Sequence, residues 1–264
     1  MDAPPTDAAG RLFWEQTWAG HQPQSYPGPT VFDFHELYQR FLPRSEALTC
    51  IEIGAMPGNH LVYFRKEYQY RVTALDYCSD LSPLINTFAV NGIDEYSLIN
   101  VDLFSIADEE RYDVVFSSGF VEHFDDYERV MAAHVKMLKE HGHLLVTVPN
   151  TRYIHAALMR LFCPRILATH RTYLMDPNVL RQVTEGLGCD VLFCGYLRTF
   201  RPFYPLPSWM GLLARAIGRC LRVLRLDRVS NEFASPYLYL VARKRGGGAH
   251  LPRSGAVNAS YVTP

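Results

Sequence analysis

The chain has 264 residues, 48% of them hydrophobic, and a formal net charge of −1, so it can bury a large core as one large domain or two smaller ones. No window approaches the ~18 uncharged apolar residues of a membrane-spanning helix, and the amino terminus lacks the pattern of a secretory signal, so a cytoplasmic location is expected. Its six cysteines form no Cys-x-x-Cys pair, which disfavours a structural zinc site or a disulfide framework.

Charge is divided unevenly along the chain. Residues 1–150 contain 10 basic and 22 acidic side chains, whereas residues 151–228 contain 12 arginines, no lysine and 4 acids. The acidic half suits a cofactor that carries positive charge. The arginine-rich half suits an anionic substrate or an anionic membrane surface.

The first segment precedes the sheet. Short amphipathic helices are predicted at 11–18 and 31–42, separated by a turn rich in proline and glycine. We therefore interpret residues 1–48 as N-terminal helices that cover the cofactor edge of the sheet.

Strands and helices alternate after this segment. The predicted strands are 49–53, 71–76, 96–101, 113–117, 143–148, 189–196 and 237–242, and the predicted helices begin at 59 and span 82–90, 126–140 and 177–185. Alternation requires crossover connections and therefore a parallel sheet, to which the last two strands add an antiparallel edge. The predicted fold is α/β: a Rossmann-like, doubly wound, mixed sheet of seven strands with an antiparallel edge strand and a helical cap.

The domain so defined spans residues 49–245. Cap insertions are expected at about 150–176 and 200–232. Residues 246–264 are rich in glycine, alanine, serine and proline without periodicity, and are expected to be disordered.

The segment Thr49–Gly58 is typical of a buried strand that enters a glycine turn. A dinucleotide site spaces its glycines as G-x-G-x-x-G, so that bare amides meet a pyrophosphate. Here Met56 takes the middle position, and Pro57 removes an amide donor. Glu52, just before the first glycine, would repel a phosphate but suits an amino group. The turn therefore favours a nucleoside-like cofactor that has no pyrophosphate.

Polar residues also follow the next strands. The second strand ends on Asp76, as adenosine-binding α/β folds require for a ribose diol. The third ends before Asp102, and the fourth runs through Ser117–Gly119 to Glu122 and His123. Open α/β sheets place ligands at this carboxyl edge, so one site is expected to collect these residues.

In this order the motifs resemble those of class I S-adenosylmethionine-dependent methyltransferases. The family's acid-x-Gly-x-Gly-x-Gly pattern is matched at Glu52, Gly54 and Gly58, and Met56 departs from it. The resemblance implies S-adenosyl-L-methionine as cofactor, with Asp76 on the ribose, Asp102 on the adenine and Ser117–Gly119 at the methionine end. The cofactor-binding set it implies is Glu52, Gly54, Ala55, Gly58, Asp76, Tyr77, Asp102, Leu103, Ser117, Ser118 and Gly119.

The stretch after the fifth strand resembles a more specific group. Residues 148–170, followed by Tyr173 and Pro177, are similar to the insertion of the ubiquinone-biosynthesis type O-methyltransferases, which covers the active site and touches membrane. In that family an aromatic residue follows Thr-His, whereas here Arg171 and Thr172 separate His170 from Tyr173. The resemblance implies methyl transfer to a hydroxyl of a small, apolar or anionic acceptor, which includes lipid-like and quinone-like molecules.

Four side chains are candidates for the chemistry: Glu122, His123, His155 and His170. A hydroxyl acceptor must lose a proton, and a positioned histidine or carboxylate adds ~10²- to 10⁴-fold in rate. Glu122 and His123 lie at the carboxyl edge of the sheet, whereas the other two histidines lie in the basic cap. Two adjacent ligands do not define a metal site, so no metal is predicted.

A basic amphipathic helix is predicted over 208–228. Five arginines recur at helical spacing opposite apolar residues, and aromatics and prolines precede them from 200. This pattern predicts either packing on the domain or peripheral contact, through 200–228, with the inner face of a membrane. Nucleic acid is not an expected partner, because the arginines lie on one helix without a known binding module. No oligomeric state is predicted.

Two alternatives to O-methylation remain open. Glu-His-Phe after the fourth strand also resembles the cyclopropane fatty acid synthase group of C-methyltransferases, in which the glutamate helps to hold a bicarbonate base. The second alternative is not an enzyme. Because Met56 interrupts the glycine pattern, the chain could be a degenerate methyltransferase fold that serves as a scaffold at a membrane surface.

Overall fold

The computed structural model describes residues 5–106, 112–224 and 229–246. Its centre is a seven-stranded sheet in the order β3-β2-β1-β4-β5-β7-β6. The strands are β1 Thr49–Ile53, β2 Arg71–Leu75, β3 Ser97–Ile99, β4 Tyr112–Ser118, β5 Leu138–Pro149, β6 Cys189–Leu197 and β7 Tyr237–Lys244. Strands β1 to β5 pair in parallel, and β7 runs antiparallel to both β5 and β6. The predicted doubly wound mixed sheet with an antiparallel pair at one edge is confirmed.

Helices flank this sheet and extend beyond its last parallel strand. They are α1 Arg11–Trp18, α2 His35–Tyr38, α3 Asn59–Tyr68, α4 Ser82–Val90, α5 Tyr127–Met137, α6 Tyr153–Phe162, α7 Pro164–Ala168, α8 Pro177–Gly186 and α9 Ser208–Val223. Short 3-10 turns lie at Pro29–Val31, Leu103–Ser105, Val121–His123 and Thr172–Met175. Within the described ranges, no helix combines the length and the hydropathy needed to cross a bilayer.

Both faces of the sheet are buried, as the apolar runs of its parallel strands require. Cys50 of β1 packs on one face with an aromatic cluster that includes Tyr38, Phe64 and Phe116. Its neighbour Ile51 packs on the opposite face, where helices α5 and α8 lie. Because side chains alternate along a strand, this arrangement sends Glu52 to the aromatic side.

Two predicted helices are shorter than expected. The segment 31–42 contains only α2, because the buried Phe34, Leu37 and Tyr38 fix one helical turn and the chain then continues in irregular turns to Pro43. The helix expected over 126–140 ends at Met137, because Leu138 already pairs with Tyr112 as the start of β5. The third strand is also shorter than 96–101, since β3 is an edge strand with one neighbour.

The two expected insertions contact each other. Met159 and Cys163 of the first form a small buried cluster with Tyr204 of the second. The predicted basic helix is α9, which ends at Val223, and Arg225 and Arg228 lie outside the described residues. Residues 247–264 of the tail, for which disorder was expected, also lie outside the described residues.

Asp113 links the starts of three strands. Its Oδ2 accepts hydrogen bonds from the Thr49 amide at 2.9 Å, the Thr49 hydroxyl at 2.7 Å and Lys139 Nζ at 2.7 Å. Burial on its own raises the pKa of this carboxyl, but the hydrogen bonds from Lys139 and Thr49 outweigh burial and hold the pKa below its usual value. The folded state therefore favours the ionised form of Asp113.

We expect Asp113→Asn to lower the free energy of unfolding at neutral pH by about 1.5–3 kcal/mol, the range for a hydrogen bond to a charged group. Because the folded pKa is depressed, this stabilisation is present above the unfolded pKa of about 3.9 and is lost as the pH falls through the folded value. Urea titrations from neutral pH down to about pH 2 should show the two proteins converging in acid. The exposed Asp94→Asn control should change stability by less than about 0.5 kcal/mol, and a constant gap at all pH values would contradict the assignment.

Candidate active site

The turn after β1 requires glycine at its first position. Gly54 has a φ of +70°, and its amide donates to the Leu75 carbonyl at 2.9 Å. A Cβ built on Gly54 would lie 2.6 Å from Cδ2 of Phe120, closer than carbon atoms can approach. Gly58 also has a positive φ, of +97°, and a Cβ there would press on Leu84 and Phe88 at 3.3 Å. The two glycines let the chain turn tightly between β1 and α3.

Glu52 lies directly before this turn and has one carboxylate oxygen free for a ligand. The side chain is buried, and His60 Nδ1 contacts its Oε1 at 2.8 Å, whereas Oε2 has no hydrogen-bond partner among the described residues. Burial raises the pKa of Glu52, and His60 opposes that shift. An unpaired buried oxygen is costly unless a donor reaches it, so the position suits a ligand that carries an N–H group.

Asp76 joins the ends of β1 and β2. Its Oδ2 accepts from the Met56 amide at 3.1 Å and its Oδ1 from the Cys78 amide at 2.9 Å. Each carboxylate oxygen keeps a further lone pair, so Asp76 can hold the turn and still accept from a ligand hydroxyl. Its neighbour Tyr77 donates its hydroxyl to Asp7 Oδ2 at 2.7 Å.

A cavity of about 90 Å³ lies at the carboxyl ends of these strands. Five residues of the predicted cofactor set line it: Gly54, Asp76, Tyr77, Asp102 and Leu103. Asp102 also caps the next turn by accepting from the Phe104 amide at 2.8 Å. The cavity is smaller than the roughly 300 Å³ lower bound of ligand pockets, and Pro5, Asp7, Phe120 and Phe124 also line it. A nucleoside therefore fits the polar groups only if some of these side chains move.

The N-terminal segment contacts both the cavity and the turn after β4. Asp7 accepts from the Trp14 indole N–H at 3.0 Å as well as from Tyr77. The Ala8 amide donates to the His123 carbonyl at 2.8 Å, and the Trp14 and His123 rings meet edge to face at 4.8 Å. No sequence pattern singled out Asp7 or Trp14.

The turn after β4 brings Gly119 beside Glu122. Gly119 has a φ of +65°, and a Cβ built on it would lie 3.6 Å from Glu122 Oε1. Ser117 Oγ lies 3.0 Å from Nε2 of His134, whose Nδ1–H donates to the Val130 carbonyl at 2.8 Å, so the hydroxyl donates to the ring. Burial lowers the pKa of His134 to about 4, which keeps the ring neutral. Ser118, the last residue of β4, is half-buried.

Glu122, His123 and His170 form one cluster. Glu122 is fully buried with no partner for either carboxylate oxygen among the described residues, and its Oε1 lies 3.6 Å from His123 Nε2. The His123 and His170 rings are 4.8 Å apart. Burial raises the pKa of Glu122 to about 8 and lowers that of His123 to about 4. Burial also lowers the pKa of His170.

His155 is not part of this cluster. Its Nδ1 contacts the Tyr204 hydroxyl at 3.1 Å and its Nε2 the Ala234 carbonyl at 3.0 Å, so both ring nitrogens are engaged. The ring also stacks on Phe200. The structure therefore places His155 between the two insertions, where it joins them, rather than beside Glu122.

Comparison with known proteins defines what this arrangement is similar to. The family model described as "Methyltransferase domain" matches residues 31–192. No curated protein matches the chain. Two solved structures described as S-adenosylmethionine-dependent methyltransferases are similar. The one from Mesorhizobium loti has a TM-score of 0.56 and 16% identity, and the match covers 82% of this chain and 100% of that chain. The one from Anabaena variabilis has a TM-score of 0.56 and 15% identity, and the match covers 89% of this chain and 93% of that chain.

A third similar structure holds a ligand. It is phosphoethanolamine N-methyltransferase 2 from Haemonchus contortus in complex with S-adenosyl-L-methionine, with a TM-score of 0.57 and 14% identity. The match covers 89% of this chain and 57% of that chain. At such identities the three structures establish a shared fold.

Proposed function

The chain belongs to the methyltransferase domain family, and on that basis we propose that it transfers a methyl group from S-adenosyl-L-methionine to a hydroxyl oxygen of a small, apolar or anionic acceptor. The observation that carries the choice of acceptor atom is the Glu122–His123 pair, whose carboxylate is buried and unpaired beside the Gly119 turn. A hydroxyl is an acceptor that needs such groups, because it must lose a proton.

The residues around the β1 turn fit the cofactor. Glu52 Oε2 would accept from the amino group, Asp76 would accept from the ribose hydroxyls, and Asp102 would accept from the adenine amino group. When bound, S-adenosyl-L-methionine supplies an already activated methyl group, whose carbon–sulfur bond breaks as the oxygen–carbon bond forms and leaves a neutral thioether. The chain's own contribution is then to position the acceptor and to assist loss of its proton.

Glu122 and His123 are suited to that second task. They lie beyond β4 at the carboxyl edge of the sheet, next to the turn that borders the cofactor cavity. His170, in the first insertion, adds a third polar group, and it is half-buried whereas the other two are buried. An acceptor that enters beneath this insertion would meet all three side chains.

The second insertion supports an apolar, lipid-like acceptor. Trp209 and Leu212 of α9 are exposed, at 65% and 61%, and Arg219 on the same helix is also exposed. Aromatic and arginine side chains on one exposed helix are typical of contact with an anionic membrane surface. We propose that 200–228 makes this peripheral contact and brings the acceptor to the site from the membrane.

Transfer of an isotopically labelled methyl group tests the proposal. Purified protein, labelled S-adenosyl-L-methionine and host extract are incubated and then partitioned between organic solvent and water. We expect base-stable label in the organic phase that is strongly reduced with Gly54→Ala, because that variant should bind the cofactor at least about 100-fold more weakly. Label confined to water would contradict a lipid-like acceptor, and absence of label in both phases would contradict methyl transfer to any component of the extract.

A further inference from the structure

Three side chains with metal-binding atoms converge beside the Gly119 turn. One carboxylate oxygen of Glu122 and one ring nitrogen each of His123 and His170 all lie within 4.8 Å of one another. Glu122 and His123 are buried, and His170, which lies in the first insertion, is half-buried. We refer to them as the 122–123–170 cluster.

The hydrogen bonds of the two histidines fix which nitrogen is free. His123 Nδ1 lies 2.9 Å from the Thr169 carbonyl, and His170 Nδ1 lies 2.7 Å from the Ile166 carbonyl. A carbonyl oxygen only accepts, so each Nδ1 carries the proton and donates it. The lone pair of each ring is therefore on Nε2. This is the arrangement by which proteins orient histidine ligands of metals, with the second nitrogen bonded to a backbone carbonyl.

Glu122 provides the second, independent observation. It has zero solvent exposure, and neither carboxylate oxygen has a hydrogen-bond partner among the described residues. A buried carboxyl group with no hydrogen-bond partner is unfavourable in either protonation state, so this position favours a group that comes from outside the chain. His123 Nε2, at 3.6 Å from Oε1, is beyond hydrogen-bond distance and does not meet that need.

The spacing suits an ion between the three groups. Ligands at about 2.0–2.2 Å from a tetrahedral zinc lie about 3.3 Å from one another. The separation of 3.6 Å between Glu122 and His123 is already close to that value. The separations between the His170 ligand atom and the other two are at most 4.8 Å, so binding of an ion requires an inward movement of the half-buried His170 ring.

Surrounding charges do not oppose a cation strongly. Arg171 follows His170, but its guanidinium is paired with Asp125. Asp7 accepts from the indole N–H of Trp14, whose ring packs edge to face on His123. The cluster therefore contains one carboxyl group and has the side chains of Asp7 and Asp125 near it, against one arginine that is paired with Asp125.

We propose that Glu122, His123 and His170 bind a divalent first-row transition metal ion such as Zn²⁺, Mn²⁺ or Fe²⁺. Two imidazoles and one carboxylate match the ligand preference of these ions, whereas Mg²⁺ and Ca²⁺ prefer oxygen ligands alone. Three protein ligands leave at least one coordination position open. An oxygen of the acceptor can occupy it, so the acceptor class is narrowed to molecules with a hydroxyl or enol oxygen that ligates metals.

Only that last step rests on the proposed function. Ion binding by the cluster is a property of the three side chains, and it can be measured without an acceptor or a methyl donor. An ion at this position would stabilise negative charge on the acceptor oxygen and so assist loss of its proton.

Cobalt is the probe, because Co²⁺ replaces zinc and has visible absorption bands that report nitrogen and oxygen ligands. The protein is freed of any purification tag, treated with chelator, and studied in a Cys220→Ser background, since Cys220 is an exposed thiol that would bind cobalt itself. We expect visible bands that saturate at one equivalent per chain and that disappear on addition of Zn²⁺. The wild-type sequence is titrated in parallel to show that the background change is silent.

Variants of His170 assign the site. His170→Ala should weaken Co²⁺ binding by more than the roughly 10- to 100-fold that loss of an outer partner costs, whereas His170→Asp, which keeps a ligand, should retain binding with shifted bands. His143→Gln changes a histidine that pairs with Val114 near the start of β4, whereas the cluster follows the end of β4, so this variant should bind as the parent does. Circular dichroism of each variant excludes loss of the fold.

Calorimetry with S-adenosylhomocysteine separates the two proposals. If the protein binds S-adenosylhomocysteine but gives no cobalt bands, the metal site is refuted and the methyltransferase proposal stands. Bands that persist unchanged in His170→Ala also refute the site, because the ion is then bound elsewhere. Bands that are lost in His170→Ala, restored in His170→Asp and unaffected by His143→Gln support it.

Discussion

Gly54→Ala is expected to weaken binding of S-adenosylhomocysteine by at least about 100-fold, or about 2.7 kcal/mol. An alanine at a φ of +70° costs about 1–2 kcal/mol in the backbone. Its Cβ would also lie 2.6 Å from the Phe120 ring, which lines the cofactor cavity and would have to move. Titration calorimetry with S-adenosylhomocysteine measures the loss.

Gly92→Ala is the matched control for this change. Gly92 has a similar φ, of +64°, but a Cβ there meets nothing within 4 Å. It should therefore show the backbone cost in thermal unfolding while binding S-adenosylhomocysteine as the wild type does. Adding Phe120→Ala to Gly54→Ala removes the colliding ring and should restore part of the affinity. Wild-type affinity in Gly54→Ala would show that this turn does not border the cofactor.

The sheet could be predicted from the sequence because its strands are short apolar runs that repeat at crossover spacing. The run that contains Val114–Phe116 is buried on both faces, as in a central parallel strand, and it is too short for a buried helix. The helix predicted over 31–42 was too long because the apolar residues of that segment have helical spacing. In the structure those residues pack into the aromatic cluster after a single turn of helix, so tertiary packing overrides the local pattern.

The cofactor side of the site was also visible in the sequence. Glu52, Gly54 and Asp76 lie within 25 residues in a pattern whose geometry follows from the strand ends that hold them. Their roles remain predictions, but the structure brings Gly54 and Asp76 to one cavity together with Asp102.

The 122–123–170 cluster could not be predicted in the same way. His170 follows Glu122 by 48 positions, and no local pattern links the two. They meet because the Arg171 amide donates to the Glu122 carbonyl at 2.8 Å, and because His123 donates to the Thr169 carbonyl. Both contacts form only once the first insertion has folded back over the end of β4. His155 carries the same side chain in the same insertion, and only the tertiary contacts distinguish the two histidines.

The sequence predicted that residues 1–48 cover the cofactor edge, but not which side chains of the N-terminal segment make the contacts. Asp7 receives hydrogen bonds from both Trp14 and Tyr77, and Trp14 packs on His123. One segment thus contacts the cofactor cavity and the 122–123–170 cluster at once. Entry of a cofactor larger than about 90 Å³ requires this segment or Phe120 to move, so binding and ordering of the N-terminal segment should be coupled.

Glu122→Gln is expected to lower methyl transfer by ~10²- to 10⁴-fold while S-adenosylhomocysteine binds within a few-fold of wild type. The amide has the shape of the carboxylate but cannot carry its charge, and the Glu122 side chain makes no hydrogen bond to the described part of the chain that the fold would lose. Initial rates with labelled S-adenosyl-L-methionine, beside calorimetry on the same preparation, measure both quantities. Exposed Glu46→Gln should leave both unchanged.

Comparison with His123→Ala then separates the chemistries that the sequence left open. In hydroxyl methylation, His123→Ala should reduce the rate at least as much as Glu122→Gln, because both side chains meet the acceptor oxygen. In carbon methylation of the cyclopropane synthase type, the glutamate holds the base, so Glu122→Gln should abolish activity and His123→Ala should reduce it less. A wild-type protein that does not bind S-adenosylhomocysteine would favour the scaffold alternative over both. Since neither Glu122 nor His123 lines the cavity around Gly54, a rate loss with intact cofactor binding locates the effect at the acceptor.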